Sequence, residues 1–286
     1  MFRSVRIITS SLLTGVGPLR VAQPMPVHAL RNLDPFILLH HAGPQRFDAS
    51  GGVHRIDPHP HRGFEPVTFV YRGSVHHKDS LGNSGIIHGG EVQWITGGSG
   101  IIHSEGPTEE LQQSGGEIEL IQLWVNLPAS DKMCVPSYQE LHNSTIPVVR
   151  INDNQLTLRV ISGEVMSHKG PAKTRSSVTT AMGSFTSELD AELVLPGNET
   201  LALYVLNGAL IVNGEHRVER HQLVVFNNDG TRIHLASESS GDLLLLGGEP
   251  LREPIAQYGP FVMNTDDEIQ QALVDYRDGK MGTLED

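Results

Sequence analysis

The sequence contains a single cysteine, Cys134, and no hydrophobic run long enough to span a bilayer. One thiol cannot form an intramolecular disulfide, so the chain is not a cross-linked scaffold of the kind common among small secreted proteins. Its longest purely apolar runs, such as residues 243–246, fall far below the roughly 20 residues of a membrane-spanning helix. Residues 1–13 are apolar but interrupted by Thr and Ser, which is typical of a strand and not of a signal peptide. We expect a cytoplasmic protein in which Cys134 is an ordinary thiol.

Charge is also scarce, and positive charge especially so. Only 19% of the residues are charged, the formal net charge is −12, and Lys and Arg form no cluster. A phosphate backbone would be repelled over most of such a surface, which argues against direct nucleic-acid binding. The same repulsion disfavours docking on an anionic membrane.

Glycine and proline, in contrast, are abundant, with 30 and 17 residues in a chain of 286. This composition suits short strands joined by tight turns better than a helical bundle, and the length allows two domains. Residues 67–71, 92–95 and 118–127 are apolar runs of strand length, and a glycine or proline follows each within two residues. Residues 266–278 differ, because their apolar side chains recur at helical spacing and predict a helix that packs on a barrel surface. The apolar stripe of this helix consists of Ile269, Leu273 and Tyr276.

The two halves of the chain can be aligned by setting Gly73 against Gly208. Residues 68–71 then match residues 203–206, and the Ile-His pair at 102–103 matches that at 233–234 after a small gap. This agreement in order favours two copies of one all-β unit, each a small barrel. Residues 129–146 have prolines near both ends and little periodicity, which predicts a connection. We therefore place the domains at residues 1–135 and 136–286, with the helix in the second.

Four side chains in the first half have the types and the spacing of a metal site: His59, His61, His103 and Glu105. Residues two apart on a strand point to the same face, so each pair would face the barrel interior. If the two strands are neighbours, three imidazoles and one carboxylate converge on a divalent first-row metal, with positions left for water, substrate or dioxygen. Histidine pairs also arise by chance or as hydrogen-bonded core residues, but two such pairs in one repeat favour metal binding.

The second half provides an internal comparison. In the same alignment, Val194 and Pro196 take the places of the first histidine pair. Ala236 takes the place of the carboxylate, and only His234 keeps the type of a ligand. This pattern predicts a second barrel that has lost its metal.

Four segments resemble sequence blocks of the pirin family of bicupins: residues 59–65 (HPHRGFE), 93–105 (QWITGGSGIIHSE), 247–254 (GGEPLREP) and 258–264 (YGPFVMN). The resemblance extends over nearly the whole chain and implies two cupin-type β-barrels with one metal of the iron type, expected as Fe(II). It implies as ligands the residues numbered here His59, His61, His103 and Glu105. Mn, Co, Ni, Cu and Zn also accept this ligand set. Some family members cleave the flavonol quercetin with dioxygen, and an animal member acts as a nuclear transcription cofactor.

Residues around the predicted site have further expected roles. His40 and His41 stand where the resemblance leads us to expect an acidic pair. They either line the site entrance or, as we prefer, lie at the surface with their hydrogen bonds satisfied. Glu65 is expected to orient a ligand imidazole rather than to bind the metal. His77 is expected near the mouth of the site.

Three functions could use the same site. The first is a metal-dependent dioxygenase of the quercetin 2,3-dioxygenase type, with dioxygen and a flavonol-like or enolic small molecule as partners. In it, Glu105 stays a ligand or takes the hydroxyl proton as general base. The second is a metal- or redox-responsive regulator resembling pirin, which binds a protein partner. The third is a metal-stabilised barrel of another reaction class, such as an isomerase. An acidic chain without clustered basic residues favours the first.

Overall fold

Strands dominate the computed structural model, which describes residues 1–49 and 55–284. They account for 56% of the chain and helices for 6%, so the predicted all-β class is confirmed. Gly73 and Gly208, the two glycines that align the halves, both have positive φ (80° and 74°) in the tight turn after a long strand. A residue without a Cβ adopts this conformation at little cost, which explains a glycine at the same place in each repeat.

The elements of the first part of the chain are β1 (Val5–Ser10), β2 (Leu12–Val16), β3 (Leu19–Met25), β4 (Phe36–Phe47), β5 (Ile56–His61), β6 (Phe64–Arg72), β7 (Ser74–Asp79), β8 (Ser84–His88), β9 (Val92–Thr96), β10 (Ile101–Pro107), α1 (Glu109–Ser114), β11 (Gly116–Asn126) and β12 (Ser137–Leu141). Those of the second part are β13 (Val148–Ile151), β14 (Leu156–Ser162), β15 (Glu164–Val165), β16 (His168–Lys169), β17 (Val178–Phe185), β18 (Asp190–Val194), β19 (Thr200–Asn207), β20 (Ala209–Val212), β21 (His216–Glu219), β22 (Gln222–Phe226), β23 (Arg232–Ala236), β24 (Gly241–Gly248), β25 (Ala256–Tyr258), β26 (Phe261–Met263) and α2 (Asp266–Arg277).

The first compact unit, which carries both histidine pairs, comprises Leu13–Val21, Phe36–Asn143 and Leu251–Asp286. Its strands form a seven-stranded sheet in the order β12-β9-β6-β11-β4-β3-β2 and a four-stranded sheet in the order β5-β10-β7-β8. Apolar side chains from both sheets pack together, among them Val70, Val75 and Ile118. Inward positions of β5, β7 and β10 instead carry buried polar side chains, and these positions form the candidate site.

The second compact unit comprises Met1–Leu12, Ala22–Pro35 and Ser144–Pro250. It repeats the architecture with a sheet in the order β1-β22-β19-β24-β17-β14-β13 and a smaller sheet in the order β18-β23-β20-β21. Its interior is one continuous cluster of buried apolar side chains. Hydrocarbon thus fills the space that polar side chains occupy in the first unit.

The compact units differ from the predicted segments 1–135 and 136–286 at both ends of the chain. Strand β1 pairs with β22 and so completes a sheet of the second unit. The residues from Leu251 onward pack into the first unit. Part of the predicted connection, residues 129–146, is strand β12, which pairs with β9. An edge strand needs only one neighbour and carries little periodicity of its own, so this pairing was hidden in the sequence.

Helix α2 confirms the helix predicted over residues 266–278. It begins with a capping box, in which Thr265 and Glu268 satisfy each other's backbone N–H groups. Ile269 and Ala272 are buried in one cluster with Phe261, whereas Tyr276, predicted on the apolar stripe, is 39% exposed. No helix in the described part of the chain is both long and apolar enough to cross a membrane.

Candidate metal centre

Two neighbouring strands bring the histidines together. Strands β5 and β10 are antiparallel, with His59 opposite His103 and His61 opposite Ile101. Because side chains alternate along a strand, His59 and His61 share one face with His103. The register shifts between His103 and Glu105, which marks a β-bulge or a similar irregularity of β10 just before the carboxylate residue.

Three imidazoles converge in the arrangement that the sequence predicts. One ligand nitrogen from each of His59, His61 and His103 lies within 4.8 Å of the others. The ring centroids are 4.4 Å apart for His59 and His103 and 4.8 Å apart for the other two pairs. Nδ1 of His59 lies 2.8 Å from the carbonyl oxygen of Asp57, to which it donates when it carries the proton. That tautomer leaves Nε2 of His59 free to bind a metal.

The electrostatics of the centre favour neutral imidazoles. His61 is 2% and His103 0% exposed. Burial, and next the neighbouring His59, lower the pKa of both groups well below the usual value; the Pro260 carbonyl opposes the shift at His61 by less. In the part of the chain that the structure describes, the ring nitrogens of His103 accept or donate no hydrogen bond. Buried polar atoms without partners are costly, and a bound cation would satisfy them. The nitrogen donor set therefore fits a first-row divalent metal.

Glu105, the fourth predicted ligand, does not belong to the converging group of three. Its carboxylate accepts hydrogen bonds from two amides, Gln93 Nε2 on Oε2 at 2.5 Å and Gln122 Nε2 on Oε1 at 3.3 Å. Thr68 Oγ1 lies 3.4 Å from Oε2 and also accepts from both amides. These three polar residues sit side by side on β9, β6 and β11, directly opposite one another in the sheet. Sequence reasoning missed them, because single polar residues in apolar strands reveal no common face until the register is known.

His77 lies deeper than predicted. It is fully buried instead of standing at the mouth, and its ring centroid is 5.4 Å from that of His103. The ring of Tyr138 stacks on the His77 ring, with the centroids 4.2 Å apart. Nε2 of His77 lies 3.1 Å from Asp79 Oδ2. Burial acts to raise the pKa of Asp79, but hydrogen bonds from His77 and Asn83 outweigh it, and the pKa is lowered. An ionised Asp79 thus fixes the orientation of a ring that packs beside His103 of the converging group.

The prediction that His40 and His41 form a surface pair is wrong for His41, which is buried. Consecutive residues of a strand face opposite sides, so the two histidines of β4 cannot share one environment. His41 is 1% exposed, and its Nε2 lies 3.1 Å from Oε1 of the buried Glu119. His40 faces the other way, towards a pocket inside the unit, and burial lowers its pKa to about 4.

Glu65 is also buried. Its Oε1 accepts a hydrogen bond from Thr96 Oγ1 at 2.8 Å. A role in orienting a ligand imidazole stays a prediction.

The pocket that His40 faces lies within the first unit. It contains about 520 Å³ of empty space, part of it open to solvent. Two other polar side chains, Glu105 and Gln122, line it, and the remaining walls are mostly apolar. These walls consist of Val16, Leu19, Val21, Ala42, Ile56, Val75, Gly106, Pro107, Ile118 and Leu120.

The second unit holds apolar residues at the corresponding places, but not the residues that the alignment named. Val194 is 61% exposed, and Pro196 is also exposed. The residues that alternate with them along the chain, Leu193 and Leu195, are buried. Leu193 lies opposite Ile233 in the sheet, as His59 lies opposite His103. Shifting the alignment by one residue places buried Leu193 and Leu195 at these positions, because such a shift exchanges the two faces of a strand. His234 consequently points away from the core and pairs with Asp190 at 2.6 Å.

Comparison with known proteins agrees with this architecture. The family model described as Pirin matches residues 18–125, and the Pirin C-terminal cupin domain matches residues 184–282. The chain belongs to the pirin family. It is 35% identical to human pirin over 98% of this chain and 95% of that protein.

Two bacterial proteins that carry the name quercetin 2,3-dioxygenase are similar to this chain over most of their lengths. A Pseudomonas aeruginosa protein that carries the provisional name quercetin 2,3-dioxygenase is 44% identical over 87% of both chains. The crystal structure of quercetin 2,3-dioxygenase from Acinetobacter baumannii superposes with a TM-score of 0.95 and 36% identity over the full length of both chains. The bicupin fold is therefore established for this pirin-family chain.

Proposed function

We propose that this protein is a metal-dependent dioxygenase of the quercetin 2,3-dioxygenase type that acts on a flavonol-like or enolic small molecule. One observation carries the proposal: three converging imidazoles lie on the same two strands as a carboxylate that lines an apolar pocket. Open metal positions next to a pocket serve a reaction better than a purely structural site does. The likeness to a bacterial quercetin 2,3-dioxygenase supports this choice of reaction.

The metal would be held by His59, His61 and His103, with Glu105 proposed as the fourth ligand. Fe(II) is the proposed ion, since the family resemblance implies a metal of the iron type. When bound, a divalent ion of this kind binds an enolisable hydroxyl, lowers its pKa and brings dioxygen close to the substrate. The low pKa of the buried imidazoles leaves their nitrogens unprotonated for such binding at neutral pH.

As the alternative to staying a ligand, Glu105 is proposed to leave the metal and take the substrate proton. Its carboxylate is 6% exposed and forms part of the pocket wall, so a hydroxyl inside the pocket can reach one of its oxygens. The hydroxyl proton passes to that oxygen, which leaves the substrate as its anion and Glu105 as the carboxylic acid. Gln93 and Gln122 orient the group for this step, because each amide donates to a different carboxylate oxygen.

The pocket walls select the substrate class. The pocket is lined mostly by apolar side chains, as small-molecule sites generally are. Valine, leucine and isoleucine side chains on several walls suit a flat aromatic molecule and exclude water from it. Polar contact is confined to His40, Glu105 and Gln122, which matches a molecule with few hydroxyl and carbonyl groups.

A metal- or redox-responsive regulator is the second candidate. The observation in its favour is the likeness to human pirin, which extends over nearly the whole of both chains. In this case the protein would bind a protein partner with an affinity that changes with the oxidation state of the metal.

Oxygen uptake separates the two candidates. Protein purified without oxygen and reconstituted with Fe(II) should consume dioxygen with quercetin and release carbon monoxide in equal molar amount. The matched control is His61→Ala, which should do neither. If the parent holds one iron per chain yet consumes no dioxygen with quercetin, other flavonols or enediols, the dioxygenase proposal fails. Partner binding that differs between Fe(II) and Fe(III) protein would then favour the regulator.

A further inference from the structure

Arg62 connects the metal centre to the C-terminal part of the first unit. It follows His61 directly, and its side chain is buried at 3% exposure. Nε donates to the carbonyl oxygen of Ser99 at 2.7 Å, and Nη1 donates to Asp275 Oδ2 at 2.8 Å. A guanidinium holds two such acceptors in a fixed relative position because its N–H groups lie in one rigid plane. The strand end that carries His61 is thereby fixed to the loop before β10 and to helix α2.

Asp275 is itself held by three donors. Lys280 Nζ and Gln271 Nε2 donate to its Oδ1 at 2.8 and 2.9 Å, while Arg62 occupies Oδ2. Hydrogen bonds from Lys280, Arg62 and Gln271 hold the pKa of this carboxyl well below its usual range. The ion pair with Arg62 is therefore present throughout the neutral and mildly acidic range.

Backbone contacts continue the same connection. The N–H of Arg62 donates to the Pro260 carbonyl at 3.3 Å, and the N–H of Val262 donates to the Arg62 carbonyl at 3.0 Å. Buried Lys132 then bridges the carbonyls of Gly63 and Val262, each at 2.9 Å. The backbone of Arg62 is thus hydrogen-bonded to Pro260 and Val262. Lys132 links the next residue, Gly63, to the same segment.

The second ligand strand meets the same segment. Ile102, which directly precedes His103, is buried in one cluster with Phe261, Ile269 and Met281. Its N–H donates to Ser80 Oγ at 3.0 Å, and that hydroxyl donates to the Met281 carbonyl at 2.8 Å. Residues 260–281 therefore hold Arg62, which is next to His61, and Ile102, which is next to His103. The segment thus contacts both strands that carry the histidines.

We propose that residues 260–281 position the metal ligands, and that Arg62 and Asp275 are the positioning pair through which this segment sets metal affinity. The mechanism is preorganisation: with Arg62 and Ile102 fixed, His61 and His103 keep their separation in the absence of metal, so binding requires less ordering. This inference rests on the metal site of the proposed function but not on the oxidation chemistry.

Cobalt titration tests the proposal on the full-length protein. Apoprotein is titrated with Co(II), its visible d–d absorption is recorded, and the dissociation constant is measured against a competing chelator. Asp275→Asn should weaken Co(II) binding by about tenfold, within the range typical for contacts outside the ligands, and change the absorption intensity. Asp278→Asn is the matched control, since it alters an exposed carboxylate at the end of α2 whose partner is Lys280 at 3.5 Å. The control should keep the parental affinity and spectrum.

Arg62→Lys provides a second variant if Asp275→Asn does not fold. It retains the charge but cannot hold Ser99 and Asp275 together, so a smaller loss of affinity is expected. Urea unfolding of each apoprotein separates a positioning role from general stabilisation. Parental Co(II) affinity and spectrum in a folded variant of either kind, even one with a lowered unfolding midpoint, would overturn the proposal. Absence of Co(II) binding in the parent would instead refute the metal site itself, and oxygen uptake enters neither result.

Discussion

Gln93 donates a hydrogen bond from Nε2 to Oε2 of Glu105, across two strands that belong to different sheets of the first unit. Both residues are buried, at 0% and 6% exposure. The contact joins a carboxylate of the pocket wall to the sheet opposite the histidines. An amide 12 residues earlier in the chain therefore helps to hold that carboxylate in place.

Replacement of this amide should reduce turnover more than metal content. Gln93→Leu removes the donor to Oε2 and leaves a buried carboxylate oxygen poorly satisfied, at a cost of about 1–3 kcal/mol. We expect kcat for quercetin to fall by about tenfold or more, with KM less affected, because the base is misoriented. Steady-state oxygen uptake and metal analysis check this. Gln222→Leu in the second unit is the matched control, and unchanged kcat in Gln93→Leu at full metal content would contradict a positioning role for the amide.

Removal of one ligand imidazole should abolish metal binding without unfolding the protein. His61→Ala deletes a buried ring at the centre of the site, and we expect metal affinity to fall by at least about a hundredfold, since losing even an outer contact costs 10–100-fold. The measurement is elemental analysis after dialysis, with circular dichroism for the fold. His234→Ala is the control, because that histidine faces away from the core of the second unit and pairs with Asp190. A full equivalent of metal in His61→Ala would refute its assignment as a ligand.

The buried pair of His41 and Glu119 should contribute more to the free energy of unfolding than the exposed ion pair of Arg72 and Glu117 does. Both side chains are 0% exposed, so Glu119→Ala leaves a buried imidazole nitrogen without this partner. It also removes the contact of Glu119 Oε2 with the half-exposed Arg72 at 3.3 Å, and it should cost about 2–4 kcal/mol in total. Glu117 contacts Arg72 at 2.9 Å, but their side chains are 45% and 49% exposed, so Glu117→Ala should cost less than about 1 kcal/mol. Urea unfolding measures both. Equal losses would mean that His41 finds a substitute partner.

The class of fold and the convergence of three of the four predicted ligand side chains could be predicted from the sequence for a simple reason. Residues i and i+2 of any strand share a face, so His59-Pro-His61 needs no tertiary information to predict two convergent imidazoles. The neighbour relation of β5 and β10 was a further assumption, and the register of His59 opposite His103 confirms it. The helix over residues 266–278 was equally readable, because a period near 3.6 and a capping box are local signals.

The features of the fold and of the site that the sequence did not predict depend on strand register and on long-range packing. The amide row of Gln93 and Gln122 exists only because β9, β6 and β11 pair in one particular register. A shift of one residue in the alignment of the two halves exchanges exposed Val194 for buried Leu193, and the sequence alone does not fix that shift. The assignment of α2 to the first unit depends on partners such as Arg62 that lie about 200 residues earlier, and no local pattern encodes them.

The low pKa of His40 predicts a specific pH dependence of stability. Burial lowers this pKa to about 4, whereas an imidazole in the unfolded chain has a pKa near 6.5. Between these values the unfolded chain binds more protons than the folded one, so the free energy of unfolding falls as the pH is lowered from 6.5 towards 4. His40→Gln removes the linkage, so the parent should lose up to about 3 kcal/mol more than the variant between pH 7.5 and pH 4.5. Urea unfolding of both metal-free proteins across this range measures the difference. Parallel stability curves would show that His40 is protonated as readily in the folded pocket as in the unfolded chain.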